Sequence, residues 1–356
     1  MARIVVIGGG LAGLAAAYRL SRARHRVLVV ESNAHFGGQL HTESTAGYVI
    51  EHGAEGFVAR SESVPRLAHQ LGIGGDLIGQ SLTRSLGYAA GELRELAPGE
   101  AATLLGFQVP PDDIGAGIRS FRRGMGSLIE ALRSQLASDV ELRPSFRVRH
   151  IERRARDYEI RGDEGVSVLA ERIVIATPSR AAGELLSPVV GEAALEPGRA
   201  RALSSVTVSL AFARGAIPHP LDATGFVIAN DDQWHGARAC TFTTSKFAER
   251  APDGCVSLRV FIRPEARELK TLTDAVYAAR ALEVVTRVLG ANAPPLRQWV
   301  SRWSDALPVF DPPHKQAVAA LETALKGSRI ALAGSAFHGS GIDAALRSAA
   351  TVEERL

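Results

Sequence analysis

Between Arg3 and Glu31 the chain reads as strand, glycine turn, small-residue helix, strand and acid, and no other stretch limits the fold as tightly. The apolar run Arg3-Ile4-Val5-Val6-Ile7 leads into Gly8-Gly9-Gly10-Leu11-Ala12-Gly13 and then into an Ala-rich helix. In such a unit the first glycine serves a tight turn, the second lets the backbone approach a pyrophosphate, and the third lets helix and strand pack closely. Gly8, Gly10 and Gly13 hold those positions. The helix that follows would aim its free N–H groups and positive dipole end at the phosphates. A second strand, Arg26 to Val30, ends at Glu31, whose carboxylate can accept from a ribose 2′-OH. The pattern predicts an adenine dinucleotide site, and the acid argues against a 2′-phosphate.

Composition narrows the setting. A chain of 356 residues can bury a sizeable core and suggests about two domains. Its formal charge of +3 calls for no nucleic acid, and the short basic cluster Arg147 to Arg156 reads as the solvated face of a strand or hairpin. No apolar run reaches the length of a membrane span. The N-terminal apolar run contains the glycine fingerprint, so it is read as retained and not as a secretory signal. Cys240 and Cys255 offer neither metal spacing nor a disulfide framework, and their apolar strand-like surroundings suggest buried thiols in a reducing cytoplasm. No metal site is expected.

Further along, a loop carries His35-Phe36-Gly37-Gly38-Gln39-Leu40-His41, and a hairpin-like pair surrounds Gly47. Helical spacing appears over Ser63 to Leu71, Met125 to Leu136 and Leu272 to Leu289. Pro98 to Gly117 looks like a Gly/Pro connector. Ser205 to Ile262 alternates β-rich runs with turns, which suggests an antiparallel sheet. Ile330 to Gly334 reads as a buried parallel strand, and Gly339-Ser340-Gly341-Ile342 leads into a last helix from about Asp343. No second glycine fingerprint follows a strand, which points to one tightly bound flavin and an acceptor that reaches it directly.

Several segments together carry a family resemblance. They are the fingerprint with Glu31-Ser32, the Gly37-Gly38 pair, Glu51-His52-Gly53-Ala54-Glu55-Gly56-Phe57, and Phe121-Arg122-Arg123-Gly124-Met125-Gly126-Ser127-Leu128. To these add Pro218 to Phe226, Ser245-Lys246-Phe247 with Arg250-Ala251-Pro252-Asp253-Gly254, and Leu332-Ala333-Gly334 before Gly339 to Ile342. The chain resembles the FAD-dependent protoporphyrinogen/coproporphyrinogen oxidases, within the amine oxidase-like flavoprotein superfamily. The resemblance implies a mixed α/β fold: a Rossmann-like FAD-binding domain of the amine oxidase/glutathione reductase type and a second, antiparallel-sheet substrate domain. The first would take residues 1–65, 121–180 and 325–356, the second 66–120 and 181–324.

It also implies FAD contacts at Gly8, Gly9, Gly10, Leu11, Ala12, Gly13, Glu31, Ser32, Gly37, Gly38, Gln39, Gly53, Ala54, Glu55 and Gly56. Val148 would lie beside the adenine, and Ser340, Gly341 and Ile342 beside the isoalloxazine ring. A glycine turn opening a helix suits the flavin N1–C2=O edge, where negative charge collects on reduction. Where the family has basic residues beside the Gly-Gly pair, this chain has His35, Gln39 and His41; Ala54 replaces a proline, and Asp343-Ala344-Ala345 replaces Pro-Asp-Cys. Between Leu96 and Phe121 the family's long helical section, which covers the substrate and touches the membrane, is cut to the short connector. Substrate enclosure and peripheral membrane contact are therefore open questions.

The implied activity is stepwise dehydrogenation of a porphyrinogen in haem biosynthesis. Hydride leaves a methylene bridge for flavin N5, a proton leaves a pyrrole nitrogen, and oxygen or another acceptor reoxidises the flavin. The cofactor carries the hard chemistry, so no acid or base is assigned. Substrate propionates would need cations, and Arg84, Lys246, Arg259 and Arg263 are candidates by placement. His219 reads as a loop residue and His314 as non-catalytic; Trp299 and Trp303 fit an amphipathic segment packed on the core, with the flavin edge as the other reading. Two other classes stay open: a different FAD oxidase or desaturase acting on an amine or polyene, and a lid-less non-catalytic flavoprotein or partner subunit. A homodimer is compatible with all three.

Overall fold

The structure, a computed structural model, describes residues 1–106 and 111–356. Residues 107–110 of the expected connector lie outside the described residues. A five-stranded sheet runs in the order Val140–Arg143, Arg26–Val30, Arg3–Ile7, Arg172–Ile175, Ile330–Leu332, with every pair parallel. Both faces are covered, which is why its inner strands read as apolar runs, whereas the edge strand Val140–Arg143 alternates with Glu141 and Arg143. Ile4, Val6, Val27, Val29 and Val174 face the helices Leu11–Arg22, Gly126–Leu136 and Ile342–Ala350. Val5, Ile7, Val30, Ile173 and Ile175 face the other way, against Ile151, Tyr158 and Ile160 of a small antiparallel sheet and the helices Ser179–Val190 and Pro312–Ala324.

The turn between the first strand and helix explains two of its glycines. Gly8 takes φ +110°, and a Cβ there would sit 2.5 Å from the Ala176 carbonyl oxygen. A Cβ on Gly13 would run into the carbonyl oxygen of Gly8. Strand, turn and helix therefore approach each other as closely as backbone allows.

A seven-stranded sheet has the order Arg297–Pro308, Ala202–Ala213, Cys255–Ile262, Ala237–Phe242, Gly225–Ile228, Leu86–Ala89, Glu92–Glu95. It is antiparallel, as expected, except that Gly225–Ile228 pairs parallel with Leu86–Ala89. Period-two alternation sorts its faces. Val206, Val208, Leu210, Phe212, Leu258 and Val260 pack on Tyr277, Ala281 and Val285 of the helix Asp274–Leu289. Ser205, Thr207, Ser209, Ser257, Arg259 and Phe261 take the opposite face.

Three expectations change in detail. Cys240 is buried, but Cys255 is only half-buried, because it opens its strand at the sheet end. Trp299 and Trp303 lie on the edge strand Arg297–Pro308, since nine residues of that twelve-residue strand pair with Ala202–Ala213. The connector contains a short helix, Glu100–Leu104. The basic cluster is solvated, with Arg149 and Arg154 paired to Asp163 and Glu159 on exposed strand faces.

Gly13→Ala should destabilise the protein by about 1–3 kcal/mol, the cost of forcing a methyl into packed backbone. A denaturant melt of the cofactor-free chain would read it, and an unchanged midpoint would refute the close-packing account.

Candidate functional site

Gly9 donates its amide to Glu31 Oε2 (2.8 Å), while the Ser32 hydroxyl (3.1 Å), the Asn33 amide (2.9 Å) and Asn33 Nδ2 (2.9 Å) converge on Oε1. The carboxylate is thus fixed at the fingerprint, and Oε2, with the Gly9 amide as its donor, keeps accepting capacity that a ribose hydroxyl could use. Gly10 is different from its neighbours. Its backbone is extended (φ −74°, ψ −177°), and a Cβ there would meet only Gly38 Cα at 3.9 Å and Gly37 O at 4.0 Å. Nothing in the chain requires glycine at 10. The bare backbone leaves a cradle at the helix N-terminus, which suits a pyrophosphate. Gly37 closes the far wall, donating its amide to the Gly9 carbonyl (2.8 Å).

The other expected contacts gather around this cradle. Val148 is half-buried, two residues beyond Phe146, whose amide donates to the Glu31 carbonyl (2.8 Å). Gln39 Nε2 donates to the Ala306 carbonyl (2.8 Å), and the Gln39 carbonyl accepts from the Ala54 amide (3.0 Å). Ser340 and Gly341 are exposed just ahead of the helix Ile342–Ala350, which packs along the first helix, and Gly334, two residues past the last sheet strand, packs against Ala12. The residues present fit an FAD: an open phosphate cradle, a fixed acid at the ribose end and a helix N-terminus for the ring.

The segment Gly53 to Gly56 joins this half to the seven-stranded sheet. Arg259 Nη2 donates to the carbonyls of Gly53 (2.6 Å) and His52 (3.2 Å), and Trp303 Nε1 donates to His52 O (2.7 Å). Glu55 pairs with Lys246 and lies 3.9 Å from Arg259. Burial alone would raise the Glu55 carboxyl, but the Lys246 and Arg259 charges outweigh it and hold the group below the usual carboxylate range. Nearby, Glu51 accepts from the Met125 amide (2.7 Å) and Thr42 Oγ1 (2.7 Å). There burial prevails and pushes the carboxyl up, against the pull of those donors and of Arg250. Arg250, fully buried, reaches the Phe121 carbonyl and Ser120 Oγ, both at 2.9 Å, and lies over the Phe247 ring. Sequence gave Arg250 no role; its motif meets the Phe121 motif only in three dimensions.

A cavity of about 950 Å³ opens beside Gln39, Gly53, Ala54 and Glu55 and runs along the polar face of the seven-stranded sheet. Its walls are mostly apolar. Ala97 to Gly99, Ala101, Ala102, Leu105 and Asp113 to Gly115 form part of them, so the short connector still roofs the space. All four expected cations line it, but in different states. Arg84 is engaged by Glu95 (2.9 Å) and Asp222 (2.6 Å), Lys246 by Glu55, and Arg259 by the carbonyls above. Arg263 is exposed and has no carboxylate within ion-pair distance among the described residues. Arg238, overlooked in the sequence, is a fifth cation in the wall. Its signal was a break in alternation, with core-facing Ala237, Cys240 and Phe242 spaced three and then two apart.

His314 is buried, with Nε2 against the Ala336 carbonyl (3.0 Å), and His219 sits in a loop, its Nδ1 accepting from the Leu221 amide (3.0 Å). Neither lines the cavity. Trp303 does line it, whereas Trp299 donates to Glu43 (3.0 Å).

A family model described as "Flavin containing amine oxidoreductase" matches residues 80–352, and one described as "NAD(P)-binding Rossmann-like domain" matches 6–71. A coproporphyrinogen III oxidase of Bacillus subtilis is 26% identical over 447 aligned positions, covering 95% of this chain and 94% of the relative. A solved structure from Exiguobacterium sp. 255-15, described as a candidate protoporphyrinogen oxidase, superposes with a TM-score of 0.85 at 22% identity over 99% of this chain and 98% of that one. Cyclohexylamine oxidase from Brevibacterium oxydans superposes with a TM-score of 0.74 at 16% identity, covering 99% of each chain.

Two variants test the geometry. Gly10→Ala should change the stability of the cofactor-free chain by less than about 0.5 kcal/mol, yet sharply lower flavin content per chain, read from the visible spectrum. Full flavin occupancy would remove the cradle assignment. Lys246→Met should cost about 3 kcal/mol near neutral pH, the low end for breaking a buried pair, because Arg259 stays near. With its depressed pKa, Glu55 contributes stability above the usual carboxylate range and loses it as pH falls below that range. The deficit of the variant should therefore shrink on acidification in urea melts; a deficit independent of pH would contradict the pairing.

Proposed function

Because the chain belongs to the flavin-containing amine oxidoreductase family, we propose that it uses FAD to oxidise a porphyrinogen, coproporphyrinogen III or protoporphyrinogen IX, to the porphyrin. The observation that carries this reading is the charge pattern of the cavity: mostly apolar walls, with cations outnumbering acids, and two arginines left without a carboxylate partner among the described residues. Such a lining suits a large apolar ring system bearing carboxylates. It suits an amine less well, because cations outnumber acids in the wall and Asp113 is the one lining acid without an ion-pair partner among the described residues. Glu55 and Glu95 are already taken by Lys246 and Arg84. The names of relatives such as the Bacillus subtilis enzyme point the same way.

When bound, FAD supplies the two-electron acceptor. The chain itself orients and encloses. Arg259, Lys246 and Trp303 would hold the Gly53 segment against the cofactor, the first turn of Ile342–Ala350 would present its N–H groups to the flavin ring, and residues 97–105 and 113–117 line the substrate space, which favours an enclosing role for the connector. In this reading residues 1–65, 121–180 and 325–356 make the FAD-binding unit, and 66–120 with 181–324 the substrate unit. Every strand of the parallel sheet comes from the first set and every strand of the seven-stranded sheet from the second, which supports the division. Oxygen is the acceptor assigned, since one glycine fingerprint leaves no second dinucleotide site. No helix of the described residues is long and apolar enough to cross a membrane.

The purified protein should be yellow and should generate porphyrin fluorescence from coproporphyrinogen III or protoporphyrinogen IX in air. A yellow protein that oxidises neither would end this proposal and leave the cofactor assignment standing.

A further inference from the structure

Arg238 is the extra residue of a β-bulge. Between the strands Ala237–Phe242 and Cys255–Ile262, Ala237 pairs with Ile262 and Ala239 with Phe261, so Arg238 has no opposite number. Bulges of this kind re-aim a side chain and cluster near functional sites. Here the bulge lets Ala237 keep its place in the core on the helix side while Arg238 and Ala239 both turn to the cavity. Next to it, the Arg263 amide donates to the Gly236 carbonyl (2.8 Å), and a Cβ on Gly236 would strike the Arg263 carbonyl. The two arginines are thus carried side by side on adjoining strands. Arg238 spends one Nη2 bond on the Leu104 carbonyl (3.2 Å), and its Nε is buried without a partner.

Two guanidiniums facing one cavity, neither within ion-pair distance of a carboxylate among the described residues, form an electrostatically incomplete site. Burial lowers the Arg238 pKa, and the Arg263 charge lowers it further. An incoming anion would relieve both costs. Glu55 and Glu95 face the same cavity but are held by Lys246 and Arg84, and Asp113 lines it out of ion-pair range. Arg263 follows Arg259 by four residues along an extended chain, about 13 Å at strand spacing. Arg259 touches Gly53, so this distance separates the arginine pair from the cofactor end, with Phe226, Val227 and Phe261 among the walls of the shared cavity.

We propose that Arg238 and Arg263 form a carboxylate clamp that holds an acidic side chain of the substrate while its apolar body extends toward Gly53. The proposal rests on reading the cavity as the substrate site, and it names the specificity of that site: substrates with a carboxylate on the rim of an apolar body. Arg238 also bonds the roof, so one residue joins recognition to enclosure.

The test is binding of coproporphyrin III and of its tetramethyl ester to the FAD-loaded protein, followed by quenching of porphyrin fluorescence. Wild type should bind the free acid and discriminate against the ester. Arg238→Met with Arg263→Met should weaken the acid by roughly tenfold to a hundredfold, in line with lost charge-assisted hydrogen bonds, and leave the ester unchanged. Arg263→Gln alone, at an exposed position, should weaken it in the same sense with flavin content and melting midpoint intact. With coproporphyrinogen III as substrate, the loss should appear in KM and spare kcat. Wild type binding acid and ester equally, or not binding the acid, would overturn the clamp, as would full affinity in either variant. Selective acid binding without porphyrinogen oxidation would keep the clamp and end the oxidase reading; oxidation with KM unmoved by the substitutions would do the reverse.

Discussion

The Glu55 carboxylate, held by Lys246 and faced by Arg259, is the interaction on which the arrangement of the two sheets depends. Lys246 and Arg259 come from the seven-stranded sheet and its loops, and Glu55 from the Gly53 segment beside the glycine fingerprint's half of the chain. Removing these charges from water is costly, and only mutual pairing plus hydrogen bonds to the Gly53 and His52 carbonyls offsets it. Such a set has one low-energy geometry. It therefore fixes the Gly53 segment in position and orientation, which an apolar contact of similar area would do less sharply.

The same pairing sorts the cations of the cavity. In the sequence Arg84, Lys246, Arg259 and Arg263 are equivalent, four basic residues near apolar runs. In the fold, three have structural partners, and Arg263 has no carboxylate partner among the described residues. The unpaired positive charge ends up with Arg263 and with Arg238, which a bulge turns inward. On the proposed reading, ligand preference would follow from which arginines the fold has left without a carboxylate, more than from how many it contains.

Much of the cofactor half was legible because its signals are local. Gly8, Gly10, Gly13 and Glu31 lie within one strand–turn–helix–strand unit, so their roles follow from spacing, and the structure adds only that Gly10 is the one spared by its own chain. The parallel strand Ile330–Leu332 was legible too, because burial on both faces leaves an apolar run. What escaped depends on pairing between distant segments. The edge strand through Trp299 and Trp303 alternates weakly, as only one side of it has a neighbour. Arg250 reads as a surface arginine until Phe121 and Glu51 surround it. Arg238 was hidden by the phase shift that makes it useful, since alternation assigns every second residue to a face and a bulge breaks the count.

The shortened connector looked in sequence like a missing lid, yet its described residues line the cavity. Closing a cavity requires apolar area at the right place, not a long segment. Ala101, Ala102 and Leu105, on and beside one turn of helix, supply that area, and the Leu104 carbonyl at its C-terminal end accepts from Arg238. A helix this short has little stability of its own, so its position is set by that bond and by the walls it covers. Bonding the roof uses one N–H of a guanidinium that carries five, which leaves donors for the cavity. A carboxylate arriving at Arg238 would therefore restrain the residue that also holds the roof, coupling recognition of the substrate to its enclosure without a dedicated lid.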